Sequence, residues 1–180
     1  MLRYTIAILF VLCWHPTVES IRWSQDYQLQ WSDFKGRPKH HSDAVAITAS
    51  GLSVGLTATT LKRELLDYSI TVEAHFYPQQ SWYLKGQVNN VVLAHEQLHF
   101  DITELYARKL RQEIEQAHFT LNIKKELEVL RKQVDKALKQ TQSRYDSECD
   151  FSRNPEAQKR WRVFIDEELA KLSSYSFQEL

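Results

Sequence analysis

Near Lys85-Gly86 the spacing of apolar residues changes from two to about 3.6, and this switch constrains the fold of the 180-residue chain more than any other feature. Before it the chain reads as β structure. Tyr27-Gln28-Leu29-Gln30-Trp31 alternates, and Gly36-Arg37-Pro38 brings that segment to a turn. Ala44 to Thr60 is rich in Val, Ile, Thr, Ser and Gly without helical spacing, consistent with one or two strands. Asp67 to Tyr77 is the clearest strand: Ile70, Val72, Ala74 and Phe76 point one way, Thr71, Glu73 and His75 the other, and Pro78 closes it.

After the switch, Asn89 or Asn90 can cap a helix running to about Ala117, with Val91, Ala94, Leu98, Ile102 and Leu105 on one stripe. A second helix spans roughly Leu121 to Tyr145, its stripe being Ile123, Leu127, Leu130, Val134, Leu138 and Tyr145. Asn154 and Pro155 open a third, with Trp161, Phe164, Ile165 and Leu169 inward. Strands followed by helices make an α+β arrangement: a largely antiparallel N-terminal sheet, a long helical hairpin and a C-terminal helix.

The N-terminus reads as a leader. Arg3 precedes an apolar run from Tyr4 to Trp14, too short to span a bilayer, and Val18-Glu19-Ser20 offers a cleavage site. Residues 1–20 are therefore expected to be a signal peptide and 21–180 a single exported domain, periplasmic or extracellular. Lys plus Arg equals Asp plus Glu at 23 each, so no net field recruits nucleic acid or an anionic membrane. The mature chain has no second long apolar run, so no stable membrane insertion is expected after leader removal. Cys149 alone survives that removal and cannot form an internal disulfide.

The chemistry lies in His95-Glu96-Gln97-Leu98-His99. Histidines four apart on a helix sit about 40° apart in rotation and one turn apart in height, so both imidazoles can reach one ion. Glu96 projects beside that ion, where a general base must stand to take a proton from a water held there. The spacing points to Zn2+ and hydrolysis, with a peptide or protein as substrate. The apolar run Val91-Val92-Leu93-Ala94 before the motif places it on the shoulder of a buried stripe.

A third ligand is sought across the hairpin. With the turn centred near residue 119, residues 139–143 come level with the histidines, and Tyr145, Asp146 and Glu148 emerge just past them. Asp101 and Glu104 are rotated away on their own helix, and Glu126 and Glu128 lie near its far end. Asp146 or Glu148 is the expected carboxylate ligand. Tyr145 is a further catalytic candidate, able to polarise a scissile carbonyl, although a tyrosine on such a stripe usually packs in the core. Tyr106 reads as packing, His75 as solvated, and His40-His41 as a loop pair without metal spacing. A Cys149 thiolate is a weaker ligand candidate.

Trp31-Ser32-Asp33-Phe34-Lys35-Gly36, Ser81-Trp82, Leu93 to Ile102 with Tyr106-Ala107-Arg108-Lys109-Leu110, and Tyr145-Asp146-Ser147-Glu148 together resemble successive blocks of one bacterial family, the predicted secreted zinc-dependent proteases or domain of unknown function 922. The resemblance covers nearly the whole mature chain. It implies a zincin-like α+β domain with the two helix histidines on zinc. The family's last block continues to Thr-x-His-Gly, whereas this chain reads Cys149-Asp150-Phe151-Ser152. That departure keeps a second expectation open, a zinc-bearing binding module of the cell envelope without turnover. A structural helical-hairpin protein, needing neither metal nor Glu96, is a third. In the enzyme reading an extended peptide pairs with a sheet edge, the strand from Asp67 to Tyr77 being the candidate. Substrate preference and oligomeric state are not legible.

Overall fold

The computed structural model describes residues 19–38 and 44–177. Almost all of the expected leader, and the pair His40-His41, lie outside these residues. The strands are β1 (Ile21–Arg22), β2 (Ala46–Ile47), β3 (Ser50–Leu61), β4 (Glu64–Phe76) and β5 (Trp82–Tyr83). The helices are α1 (Asn90–Gln116), α2 (Ile123–Glu148) and α3 (Pro155–Lys171). The fold is α+β, with antiparallel sheets first and three helices after.

β3 and β4 form a long hairpin whose turn residues Lys62 and Arg63 have φ of 48° and 68°, the left-handed pair that a tight primed turn takes. The strand order is β1-β4-β3, with a separate β2-β5 pair. The strand expected to offer a peptide-binding edge is covered over part of its length. The C-terminal end of β4 is covered, because β1 pairs there (Ile21 with Phe76, Arg22 with His75) and Trp23 N–H donates to the Ala74 carbonyl at 2.9 Å. Arg111 takes the next outward carbonyl, that of Val72, through Nε and Nη2 at 3.0 and 2.8 Å. Among the described residues, no strand pairs with the outer edge of β3.

The alternating segment Tyr27–Trp31 is also not a strand. Its Leu29 N–H donates to Gln97 Oε1 at 2.7 Å instead of to a ladder, and Gln30 and Asp33 close a 3-10 turn over Trp31–Asp33. Leu29 is buried because it plugs the core beside α1, which produces the alternation without a sheet.

α1 is central and carries far more than one buried stripe. Leu98, Ile102, Leu105, Ala107 and Leu110 are at most 1% exposed, and Val72, Ala74 and Phe76 of β4 join them. Burial of such side chains contributes roughly 1.5–3 kcal/mol each, before the conformational cost of ordering them. Asn89 Oδ1 caps α1 by accepting from Val91 and Val92 N–H, and Asn154 Oδ1 caps α3 by accepting from Ala157 N–H. The stripe of α2 packs as its spacing requires, Leu130 only partly. Val91, Ala94 and Phe164 were expected inward and are exposed instead. The first two sit at the open N-terminal end of α1, and Phe164 lies on the shoulder of α3, against Trp161. Among the described residues no helix is long and apolar enough to cross a membrane.

Candidate metal centre

Adjacent turns of α1 present His95 and His99, and the last turns of α2, running antiparallel, present Asp146. His95 Nε2 and His99 Nε2 lie 3.2 Å apart. Asp146 Oδ1 lies 3.1 Å from the first and 2.8 Å from the second. A tetrahedral ion with bonds of 2.0–2.1 Å has ligand–ligand edges of about 3.3 Å. The observed triangle has edges about 0.1–0.5 Å shorter than this, so the three atoms are placed as a small cation's donors would be.

A second shell constrains the donor set. Gln142 Nε2 donates to the His99 carbonyl at 2.9 Å, so its amide oxygen is the atom facing His99 Nδ1. An oxygen there accepts, so Nδ1 carries the proton, and neutral His99 presents the Nε2 lone pair to the triangle. A lone pair cannot face a carboxylate oxygen at 2.8 Å without a proton or cation between them. His95 is held by packing: its ring stacks on Tyr145 at 4.4 Å and 21°, and its buried Nδ1 has no partner among the described residues.

Burial would raise the Asp146 pKa, but hydrogen bonds and charge from His95 and His99 outweigh it and hold the carboxyl well below its ordinary range. Burial would lower the His99 pKa, but the Asp146 hydrogen bond and the charges of Glu96 and Asp146 outweigh it and raise it.

Glu96 is buried, and its carboxylate makes no hydrogen bond or ion pair among the described residues. Its two buried acidic neighbours on α1 are each held by at least two donors. Asp101 accepts from Trp23 Nε1, Gln97 Nε2 and Arg162 Nη1 at 2.8, 2.8 and 2.6 Å. Glu104 accepts from Arg108 Nε and Arg111 Nη1 at 2.9 and 3.0 Å. A buried carboxylate left uncommitted beside a metal-type cluster is available to take a proton.

The two carboxylates left open by the sequence separate here. Asp146 joins the histidines, whereas Glu148 Oε2 accepts from Trp161 Nε1 at 2.7 Å and its other oxygen lies 3.6 Å from Arg144. The height match admitted both, but two residues along a helix turn a side chain by about 200°. Tyr145 is 0% exposed, its hydroxyl directed to the His95 carbonyl at 3.4 Å, and burial pushes its pKa far above the ordinary phenol range. It therefore supports His95 from the core and has no open path to a substrate carbonyl. Cys149 is a buried thiol outside the cluster, its pKa pushed up to about 11 by burial and by the charges of Glu148 and Asp146. His75 bonds to Ser20 and Glu73, away from the site.

Gln142 and Thr103 were missed. Gln142 falls inside the 139–143 window that the hairpin puts level with the histidines, so an amide in that window was the available signal. The altered block Asp150-Phe151-Ser152 has φ of 47°, 51° and 72°, and Phe151 is 58% exposed. Position 151 thus faces solvent, and the triangle is complete without it.

Among known proteins, no curated protein and no solved structure matches the chain. Residues 26–153 match a family described as bacterial protein of unknown function (DUF922), a span that takes in β2 to β5, α1, α2 and every residue of the candidate centre. The chain belongs to this DUF922 family.

Proposed function

We propose that the chain is an exported, zincin-like zinc peptidase acting outside the cytoplasm. The observation that carries this reading is the triangle of His95 Nε2, His99 Nε2 and Asp146 Oδ1 beside the uncommitted carboxylate of Glu96. Bound zinc would supply Lewis acidity and lower the pKa of a water it holds to about 7. His95, His99 and Asp146 hold the ion, and Gln142 fixes the tautomer and ring plane of His99. Glu96 takes the proton from the attacking water and passes it to the leaving amine. A peptide main chain, rather than a nucleic acid or a lipid, suits the edge of β3 that pairs with no described strand, whose approach is tied to α1 by the 3.2 Å bond from Thr48 Oγ1 to the Glu96 carbonyl. The leader-like residues 1–20 support export.

Glu96→Gln tests the reading. Gln keeps the shape but accepts no proton, so zinc content and folding should be retained while hydrolysis of a broad peptide library falls by at least ~10². Equal cleavage by wild type and variant would remove Glu96 as the base. Zinc binding without cleavage by wild type would favour the binding-module reading.

A further inference from the structure

β3 is the outer strand of its sheet, and its outer edge pairs with no described strand. Tyr77 N–H donates to the Ala49 carbonyl, so ladder bonds to β4 belong to alternate residues, Gly51, Ser53, Gly55, Thr57 and Thr59. The N–H and C=O groups of Ser50, Leu52, Val54, Leu56 and Ala58 therefore point outward. Natural edges of this length are normally blunted by charges, proline or a bulge in the edge strand. Here residues 44–61 contain no charged residue and no proline, and the one register irregularity, near Thr59 and Thr60, lies at the far end.

The edge is continuous with the candidate centre. Ser50 Oγ lies 2.7 Å from Thr103 Oγ1, which donates to the His99 carbonyl at 3.0 Å and receives Gln142 Nε2 at 3.4 Å. From there β3 runs twelve residues to Leu61, about 40 Å of extended backbone. On the same sheet face as the partly buried Leu52, Val54 and Ile70, Tyr68 lies 39% exposed with its ring 5.4 Å from that of Phe119, so the apolar strip continues beyond the core.

We infer that the outer edge of β3 is a strand-addition site for an extended, uncharged stretch of the substrate polypeptide. This deepens the peptidase reading and rests on it for the substrate's role: the preferred substrates are long unfolded segments, with one part near Glu96 and the rest zipped along the β3 arm. Backbone pairing supplies affinity, and the absence of charge on the edge selects neutral sequence.

The test uses the full-length Glu96→Gln protein, loaded with zinc, and an unstructured, uncharged peptide of about sixteen residues, long enough to span the arm. Fluorescence anisotropy should show it bound at least tenfold more tightly than a truncation of about six residues. N-methylation at alternate peptide residues should abolish that advantage. Ala58→Pro should do the same, because it removes one outward N–H while leaving the ladder bonds of Thr57 and Thr59, and edge strands tolerate proline there. Zinc content and short-peptide affinity should not change. Equal affinity for long and short peptides, or indifference to N-methylation, overturns the inference. So does a dimer in sedimentation that Ala58→Pro converts to monomer, because the edge then serves a second copy. Length-dependent binding by this protein, with no cleavage by wild type, would sink the peptidase reading and leave the edge site standing. Cleavage independent of length and of Ala58→Pro would do the reverse.

Discussion

Gln142 holds both the backbone and the ring of His99: its amide nitrogen donates to the His99 carbonyl at 2.9 Å, and its amide oxygen accepts from the Nδ1–H. One side chain of α2 thus sets both the position of the α1 backbone and the tautomer of a metal-type imidazole. Removing it should be felt at the metal before it is felt in the fold. Gln142→Ala is expected to weaken zinc binding by about 10–100-fold, measured against a competing chelator, with little loss of helicity by circular dichroism. An unchanged zinc affinity would mean that packing alone orients His99.

Asp146, Glu148 and Glu104 make a three-way comparison. Asp146→Ala should lower zinc affinity by well over tenfold, because it removes one vertex of the triangle. Glu148→Ala should leave affinity nearly unchanged and cost some stability, since Trp161 Nε1 loses its acceptor. Glu104→Ala should also spare zinc binding, yet cost about 3–5 kcal/mol of folding stability by stranding Arg108 and Arg111. Zinc titration and urea unfolding of all three variants separate these outcomes, and equal effects on zinc would refute the assignment of Asp146.

Tyr145 distinguishes support from catalysis. Tyr145→Phe removes only a 3.4 Å hydrogen bond to the His95 carbonyl and should change turnover less than about threefold. Tyr145→Ala deletes a fully buried ring stacked on His95 and should cost about 3–5 kcal/mol of stability. A hundredfold loss of turnover in the Phe variant, with zinc retained, would instead make the phenol a direct participant.

In the proposed centre, protons would compete with zinc for His99 Nε2. The pKa of His99 is raised in the metal-free protein, so a proton is held to a higher pH than on free imidazole. Zinc affinity should therefore fall as pH falls through that raised pKa, beginning above the ordinary imidazole range. Removing the negative charge in Asp146→Asn should shift the fall to lower pH, apart from its general weakening of the site. Apparent Kd measured between about pH 8 and pH 5 checks both; a flat profile would show that His99 is not a ligand.

The order of strands and helices, the caps Asn89 and Asn154, and the pair His95 and His99 with Glu96 between them were legible in the sequence, because each depends on neighbours within a few residues. Hydrophobic period and helical rotation are local quantities and survive in one dimension. The alternation at Tyr27–Trp31 misled because one buried leucine, whose N–H is satisfied by a helix side chain, imitates a half-buried strand. Which acid of α2 faces the histidines was beyond a height match, because Asp146 and Glu148 differ by rotation and the rotation of α2 is set by its packing on α1. The exposed edge also had to wait for the tertiary structure. β4 looked like the available strand until β1 and Arg111 took the outward groups at its C-terminal end, and strand order depends on contacts more than fifty residues apart in the chain. Local periodicity determined what the elements are and where the motif stands; long-range packing alone decided which side chains meet and which backbone groups are left unpaired.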